Sequence, residues 1–260
     1  MAWNMVRHAF LMVFGNLKHS LRASIGPLVI GIIASFGIFA AFGLSYSDLA
    51  SAQMGRVDET AMMGGFFPAF LLMLVLYLFV FGWVAVTWHR FILLEEYPGI
   101  LPAFNGGPIL NYIGKTILLA LLMLLIAIPI SFVFGLIAAP LMMSGGGFVF
   151  GLVIGLIIGT ILTWFWFRFA IVLPATAVGR PMKLGQGWAA TRPLSGDIFF
   201  MAVILAGLNI AATAIVTPIS IGMPVIGMIL NIAVSWVTLM VGASILTTLY
   251  GHLIEGRPLT

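Results

Sequence analysis

Polar and charged positions fall in clusters along the 260 residues of this chain. Between the clusters run six stretches almost free of charge, at residues 27–44, 66–88, 116–140, 148–167, 199–221 and 225–249. A bilayer's hydrocarbon core is crossed by about 20 helical residues, with a range that all six stretches fit. Hydrocarbon offers no hydrogen-bond partner, so a lone spanning segment has to satisfy its own amides, which a helix does and an isolated strand does not. The pattern therefore predicts an all-α fold, a six-helix transmembrane bundle occupying residues 26–260. Residues 1–25 read differently. On a helical projection Trp3, Val6, Phe10, Val13, Phe14, Leu17 and Leu21 collect on one side, opposite Asn4, Arg7, His8, Lys18, His19 and Arg22. That predicts an N-terminal amphipathic helix over 1–25 lying in the membrane interface; the rival reading makes the segment an extension of the first span.

Composition strengthens the membrane reading. Charged residues make up 7% of the chain, where soluble domains carry roughly a quarter. The charges also orient it. Assigned to alternate sides of the membrane, Arg7, Lys18, Arg22, Arg90, Lys115, Arg168, Arg180, Lys183, Arg192 and Arg257 fall on one face, and Arg56 alone on the other. Short cytoplasmic loops collect Lys and Arg, so both termini are expected in the cytoplasm, with the chain in a bacterial inner membrane. These cations are scattered singly, which argues against nucleic acid and for contact with the phospholipid bilayer. With no cysteine in the chain, disulfides and thiol chemistry are excluded.

The outer connections are short. One, residues 45–62, holds Asp48, Arg56, Asp58 and Glu59; the others, 141–147 and 222–224, are tight and uncharged. The inner connections, 89–115 and 168–198, are longer and mix Pro, Gly, aromatic and basic residues. Arg90-Phe91 recurs as Arg168-Phe169, 78 residues on, and Gly179-Arg180-Pro181 recurs as Gly256-Arg257-Pro258 after a further 77. Such spacing fits three hairpin repeats, each an interfacial segment followed by a span out and a span back.

The sharpest local motif is Gly147, Gly151, Gly155 and Gly159, an interval of four that Thr163 continues. It marks one face of span four as a helix-packing seam, within the chain or against a second copy. Spans five and six concentrate uncharged polar residues, among which Asn209, Thr213, Asn231 and Ser235 form a candidate polar intramembrane site. Their default role is interhelical hydrogen bonding. Pro129 and Pro218 fall inside spans and predict kinks. No ionisable residue lies deep in an apolar stretch, which argues against ion coupling or voltage sensing. Zinc-protease, hydrolase-elbow and nucleotide-loop signatures are missing. His8, His19, His89 and His252 sit at span edges without companion ligands. No catalytic, cofactor-binding or metal site is therefore expected, and no cofactor. Trp83, Trp88, Trp164, Trp166, Tyr97 and Tyr250 read as an interfacial aromatic belt. Trp188 lies in a surface helix between Gly179 and Asp197.

The run from Arg168 to Arg192, with Pro174, Trp188, Thr191 and Arg192 at its marked positions, resembles a segment of bacterial multi-pass membrane proteins. It is similar to the membrane domain joined to some glycerophosphodiester phosphodiesterases. The likeness covers about thirty residues; it implies an inner-membrane helical bundle and transfers no activity. Arg168, Arg180, Lys183, Trp188 and Arg192 then stand as cytoplasmic lipid or partner contacts. The sequence accordingly points to a non-enzymatic interaction, assembly or accessory component that binds another membrane protein or itself. The alternative is a passive or partner-driven transporter of a small or lipid-like solute.

Overall fold

The computed structural model describes residues 1–45, 65–141 and 147–258. Among them all regular structure is helical. In chain order the helices are α1 (Ala2–Gly15), α2 (Leu17–Ala41), α3 (Phe67–Leu94), α4 (Gly106–Leu141), α5 (Gly147–Ala170), α6 (Val172–Ala177), α7 (Leu184–Ala190), α8 (Ser195–Gly222) and α9 (Pro224–Leu253), with a 3-10 turn at Arg192–Leu194 before α8. Six helical segments are long and apolar enough to cross a membrane: Leu17–Ala41, Phe67–Leu94, Gly106–Pro140, Phe150–Ala177, Arg192–Gly222 and Pro224–Leu253. The charged connection with Asp48, Arg56, Asp58 and Glu59 lies outside the described residues, as does most of the 141–147 turn.

These helices overrun the apolar stretches. α4 has 36 residues, about 54 Å of helix against about 30 Å of hydrocarbon. Apolar content marks only the part of a helix that meets lipid. The backbone ladder continues until a breaker, and the breakers lie further out. The exits of α3, α6 and α9 pass through left-handed residues, Glu95 (φ 58°), Gly179 (φ 78°) and Gly256 (φ 68°), followed by Pro98, Pro181 and Pro258, which cannot extend a helix. Glycine adopts that conformation without a Cβ clash. Glu95 holds it beside an ion pair between its neighbour Glu96 and Arg90, with Arg90 Nε 2.7 Å from Glu96 Oε2.

Residues 1–25 are not one helix. α1 stops at Gly15, and Asn16 leaves helical geometry (φ −115°, ψ 35°) while its Nδ2 donates to the Met12 carbonyl at 3.0 Å. Residues from 17 onward belong to α2. The buried stripe of α1 is Ala2, Met5, Val6, Ala9 and Val13, packed on α8 and α9. Of the face read from sequence, only Val6 and Val13 are in it; Trp3, Phe14 and Leu17 are exposed. Small side chains such as Ala2 and Ala9 allow a helix to approach its neighbours, and that contact outweighs the amphipathic pattern of the larger ones. The Ala2 amide donates to Asp197 Oδ1 at 3.0 Å. That carboxylate, in the first turn of α8, therefore meets the positive end of two helix dipoles.

The chain divides into two compact units, residues 18–113 and residues 1–17 with 114–260. In the first, a Cβ on Gly31 of α2 would lie 2.9 Å from Val80 of α3, so the two helices meet where a side chain is missing. Ser35 Oγ donates to the Gly31 carbonyl at 2.8 Å, and the Tyr77 hydroxyl lies 3.2 Å from Ser35 Oγ. Trp88 and His89, read from sequence as edge residues, are fully buried; His89 Nε2 is 3.3 Å from the Tyr112 hydroxyl. His19 sits between Phe91 and Tyr97, with ring centroids 4.9 and 5.2 Å away. In the second unit α8 packs on α5 and α9, and α6, buried along its whole length, packs on α9. Tyr250 is buried there too. From Thr116 to Pro140, α4 buries Leu119 alone.

Candidate intramembrane cavity

Helices α5, α8 and α9, with Phe10 of α1, line a half-open cavity of about 730 Å³. α5 contributes Gly151, Gly155, Gly159 and Thr163, then Phe167; α8 contributes Leu205, Leu208, Asn209 and Ala212; α9 contributes Val234, Val237, Thr238, Val241 and Ile245. From Gly151 to Phe167 the α5 wall runs about 24 Å along the helix axis. The cavity is long, narrow and aligned with the spans.

Gly151, Gly155 and Gly159, three members of the glycine row expected to pack within the chain or against a second copy, line this cavity. Gly147 opens α5. A Cβ on Gly151, Gly155 or Gly159 would meet no described residue within 4 Å. The close approaches use isolated glycines instead: Gly31 at Val80, Gly187 at Val172, and Gly227 at Ser220. One missing side chain suffices at a helix crossing, so a crossing leaves no periodic signal. Gly155→Ala is accordingly expected to leave stability unchanged or raise it by about 0.5–1 kcal/mol, the usual gain of alanine over glycine in a helix interior. Thermal unfolding of the detergent-solubilised protein measures this, and a loss above about 1 kcal/mol would show a contact at that face.

Asn209 lines the cavity, but Thr213, Asn231 and Ser235 do not join it. Thr213 and Ser235 are exposed elsewhere. Asn231 clips the α8–α9 turn, its Nδ2 donating to Ser220 Oγ at 3.1 Å and to the Gly227 carbonyl at 2.9 Å. Of the four expected residues, Asn209 alone reaches this cavity. The polar groups that do face the cavity are Thr163, Asn209 and Thr238. Asn209 lies about 21 Å from the start of α8 and Thr238 about 22 Å from the end of the antiparallel α9, so the two stand at one depth. The Thr238 hydroxyl donates to the Val234 carbonyl at 2.8 Å and still has a lone pair to offer. The Asn209 carboxamide has no hydrogen-bond partner among the described residues. The described lining contains no carboxylate, amine or imidazole. Such a wall suits an apolar guest that carries an uncharged hydrogen-bonding group. Thr238 and Phe10 were not singled out from sequence as site residues; the equal depth of Thr238 and Asn209 on adjacent antiparallel spans was the available signal.

Arg168 is no exposed contact. It is buried, with its guanidinium carbon 3.4 Å from the Trp188 ring centroid and 5.2 Å from that of Trp164. Its Nε donates to Thr191 Oγ1 at 3.3 Å and its Nη2 to the Trp188 carbonyl at 3.0 Å. Trp188, half-buried, also stacks on Phe169 at 4.8 Å. Arg168 therefore pins α7 back onto the end of α5. Arg180, Lys183 and Arg192 are exposed, and the Lys183 amide donates to Gln186 Oε1 at 2.7 Å at the start of α7. No family model matches this chain, and no curated protein or solved structure matches it.

Proposed function

We propose that this is a multi-pass protein of the bacterial cytoplasmic membrane, both termini inside, that admits an uncharged lipid-like solute to the cavity between α5, α8 and α9. It serves as a passive or partner-driven carrier for that solute. The observation that carries the reading is the cavity, about 730 Å³ with Asn209 in its wall. A carboxamide facing hydrocarbon without a partner costs several kcal/mol, and a guest carbonyl or hydroxyl removes that cost. The gathering of ten of the eleven Lys and Arg residues on one side supports the orientation.

Photo-crosslinking with a diazirine-bearing long-chain alcohol in proteoliposomes tests the proposal. Gly155→Leu projects a side chain into the cavity and Asn209→Leu removes the amide. Asn209→Leu is expected to lower capture about fivefold, the worth of one net hydrogen bond of about 1 kcal/mol, and Gly155→Leu to lower it by filling the space, both with the unfolding temperature maintained. Undiminished capture in both would exclude the cavity as the binding place. A second reading draws on the same glycine face, where an added Cβ would touch no described residue: a non-enzymatic assembly component that docks another membrane protein or a second copy there. Loss of oligomers in Gly151→Leu and Gly155→Leu, with alcohol capture intact, would favour it.

A further inference from the structure

The two Gly-Arg-Pro copies, 77 residues apart, meet at one carboxylate. Arg180 Nη1 lies 3.7 Å from Glu255 Oε1, and Arg257 Nε lies 2.8 Å from Glu255 Oε2. Each arginine directly follows a left-handed glycine, Gly179 or Gly256. Each is tethered by its backbone to the helix it leaves, Arg180 N–H to the Ala175 carbonyl at 2.8 Å and Arg257 N–H to the Gly251 carbonyl at 2.9 Å. The repeated turn therefore directs both side chains to the same place. Their burial differs from that of the acid: the Glu255 side chain is 16% exposed, those of Arg180 and Arg257 69% and 45%. The carboxylate is the floor and the guanidinium groups face outward.

We propose that this cluster binds a phosphate group, supplied by an anionic phospholipid headgroup or by free phosphate. Two cations over one anion leave a net charge of +1. At 3.7 Å the Arg180 pair is longer than a hydrogen bond, so Glu255 holds this guanidinium loosely. A guanidinium carries five donors in a planar fork that matches phosphate oxygens, more than one carboxylate engages. Glu255 thus parks the two arginines side by side and competes with the incoming anion. The site is independent of the intramembrane cavity: the α9 stretch between the cavity residue Ile245 and Gly251 is buried throughout.

The test uses the full-length protein in detergent with two probes, phosphatidylglycerol retention read by native mass spectrometry and the thermal shift produced by inorganic phosphate. R180Q/R257Q is expected to lose response about tenfold, as removal of charge-assisted bonds requires. Glu255→Gln is expected to gain roughly threefold or more, because a competing charge at contact distance is removed. A gain of binding cannot arise from misfolding, which guards the double variant against a trivial explanation. Response to phosphatidylglycerol alone assigns the phosphate to lipid; response to inorganic phosphate alone assigns it to a soluble ligand; either supports the site. Equal responses from the wild type and R180Q/R257Q would overturn it, as would a Glu255→Gln protein that binds no better than wild type.

Discussion

Replacing Gly227 with Ala is expected to destabilise the protein by about 3 kcal/mol, and replacing it with Leu to prevent recovery of folded protein. A Cβ at this position would overlap Ser220, its backbone Cα included. Overpacking costs about 1–3 kcal/mol when neighbouring side chains give way, but a helix backbone gives little. Ser220 is also fixed where it stands. Its Oγ donates to the Val216 carbonyl at 2.9 Å and accepts from Asn231 at 3.1 Å, and Asn231 in turn bonds the Gly227 carbonyl at 2.9 Å. The α8–α9 turn is therefore a closed unit of Gly227, Ser220 and Asn231 with no slack. Thermal unfolding and size-exclusion profiles in detergent measure the effect. An unfolding temperature for Gly227→Ala equal to that of wild type would contradict the geometry. The same substitution at Gly155 is expected to be neutral or stabilising, so what stands opposite the glycine decides the sign.

Arg168→Gln is expected to cost about 2–4 kcal/mol and to loosen α7 from α5. The guanidinium stacks on Trp188 and bonds Thr191 and the Trp188 carbonyl. A desolvated cation over an indole contributes about 2 kcal/mol, and buried hydrogen bonds from a charged group about 1.5–3 kcal/mol; these overlap, which sets the range below their sum. Arg168→Lys is not expected to rescue the loss, because an ammonium cannot stack flat on the ring and fork to two acceptors together. Limited digestion with a lysine-specific protease reads the local effect at Lys183, which is exposed just before α7. Cleavage faster than in the wild type is expected for both variants. Unchanged cleavage together with unchanged unfolding would show that Arg168 is dispensable to this joint.

The six long helices were legible in the residue pattern, while their ends were not. Hydropathy registers contact with lipid, and α2 already begins at Leu17, ten residues before the apolar stretch at Pro27. The amphipathic start was legible as a helix, yet its buried face was drawn around Trp3 and Phe14 instead of Met5 and Ala9. A helical projection ranks side chains by size and polarity and carries no information about the shape of the surface they meet. The glycine row was visible as a regularity, but a seam and a cavity wall have the same sequence. Only the positions of α8 and α9 separate them. Asn231 and Asn209 looked alike for the same reason, although one clips a turn and the other faces a void. Glu255 gave no signal on its own; its role exists because two distant turns end beside it.

Partition between water and hydrocarbon acts on each segment separately, so residue order alone was enough to specify an all-helical chain with six long apolar helices and its cations gathered outside the apolar stretches. Everything that depends on two segments approaching each other came from the packed chain. The burial of Arg168 under Trp188, the openness of the wall at Gly155 and the meeting of Arg180 with Arg257 are settled by the shapes of surfaces far apart in sequence. Contact energies follow those shapes at the scale of single ångströms, a scale that hydrophobic patterning does not resolve.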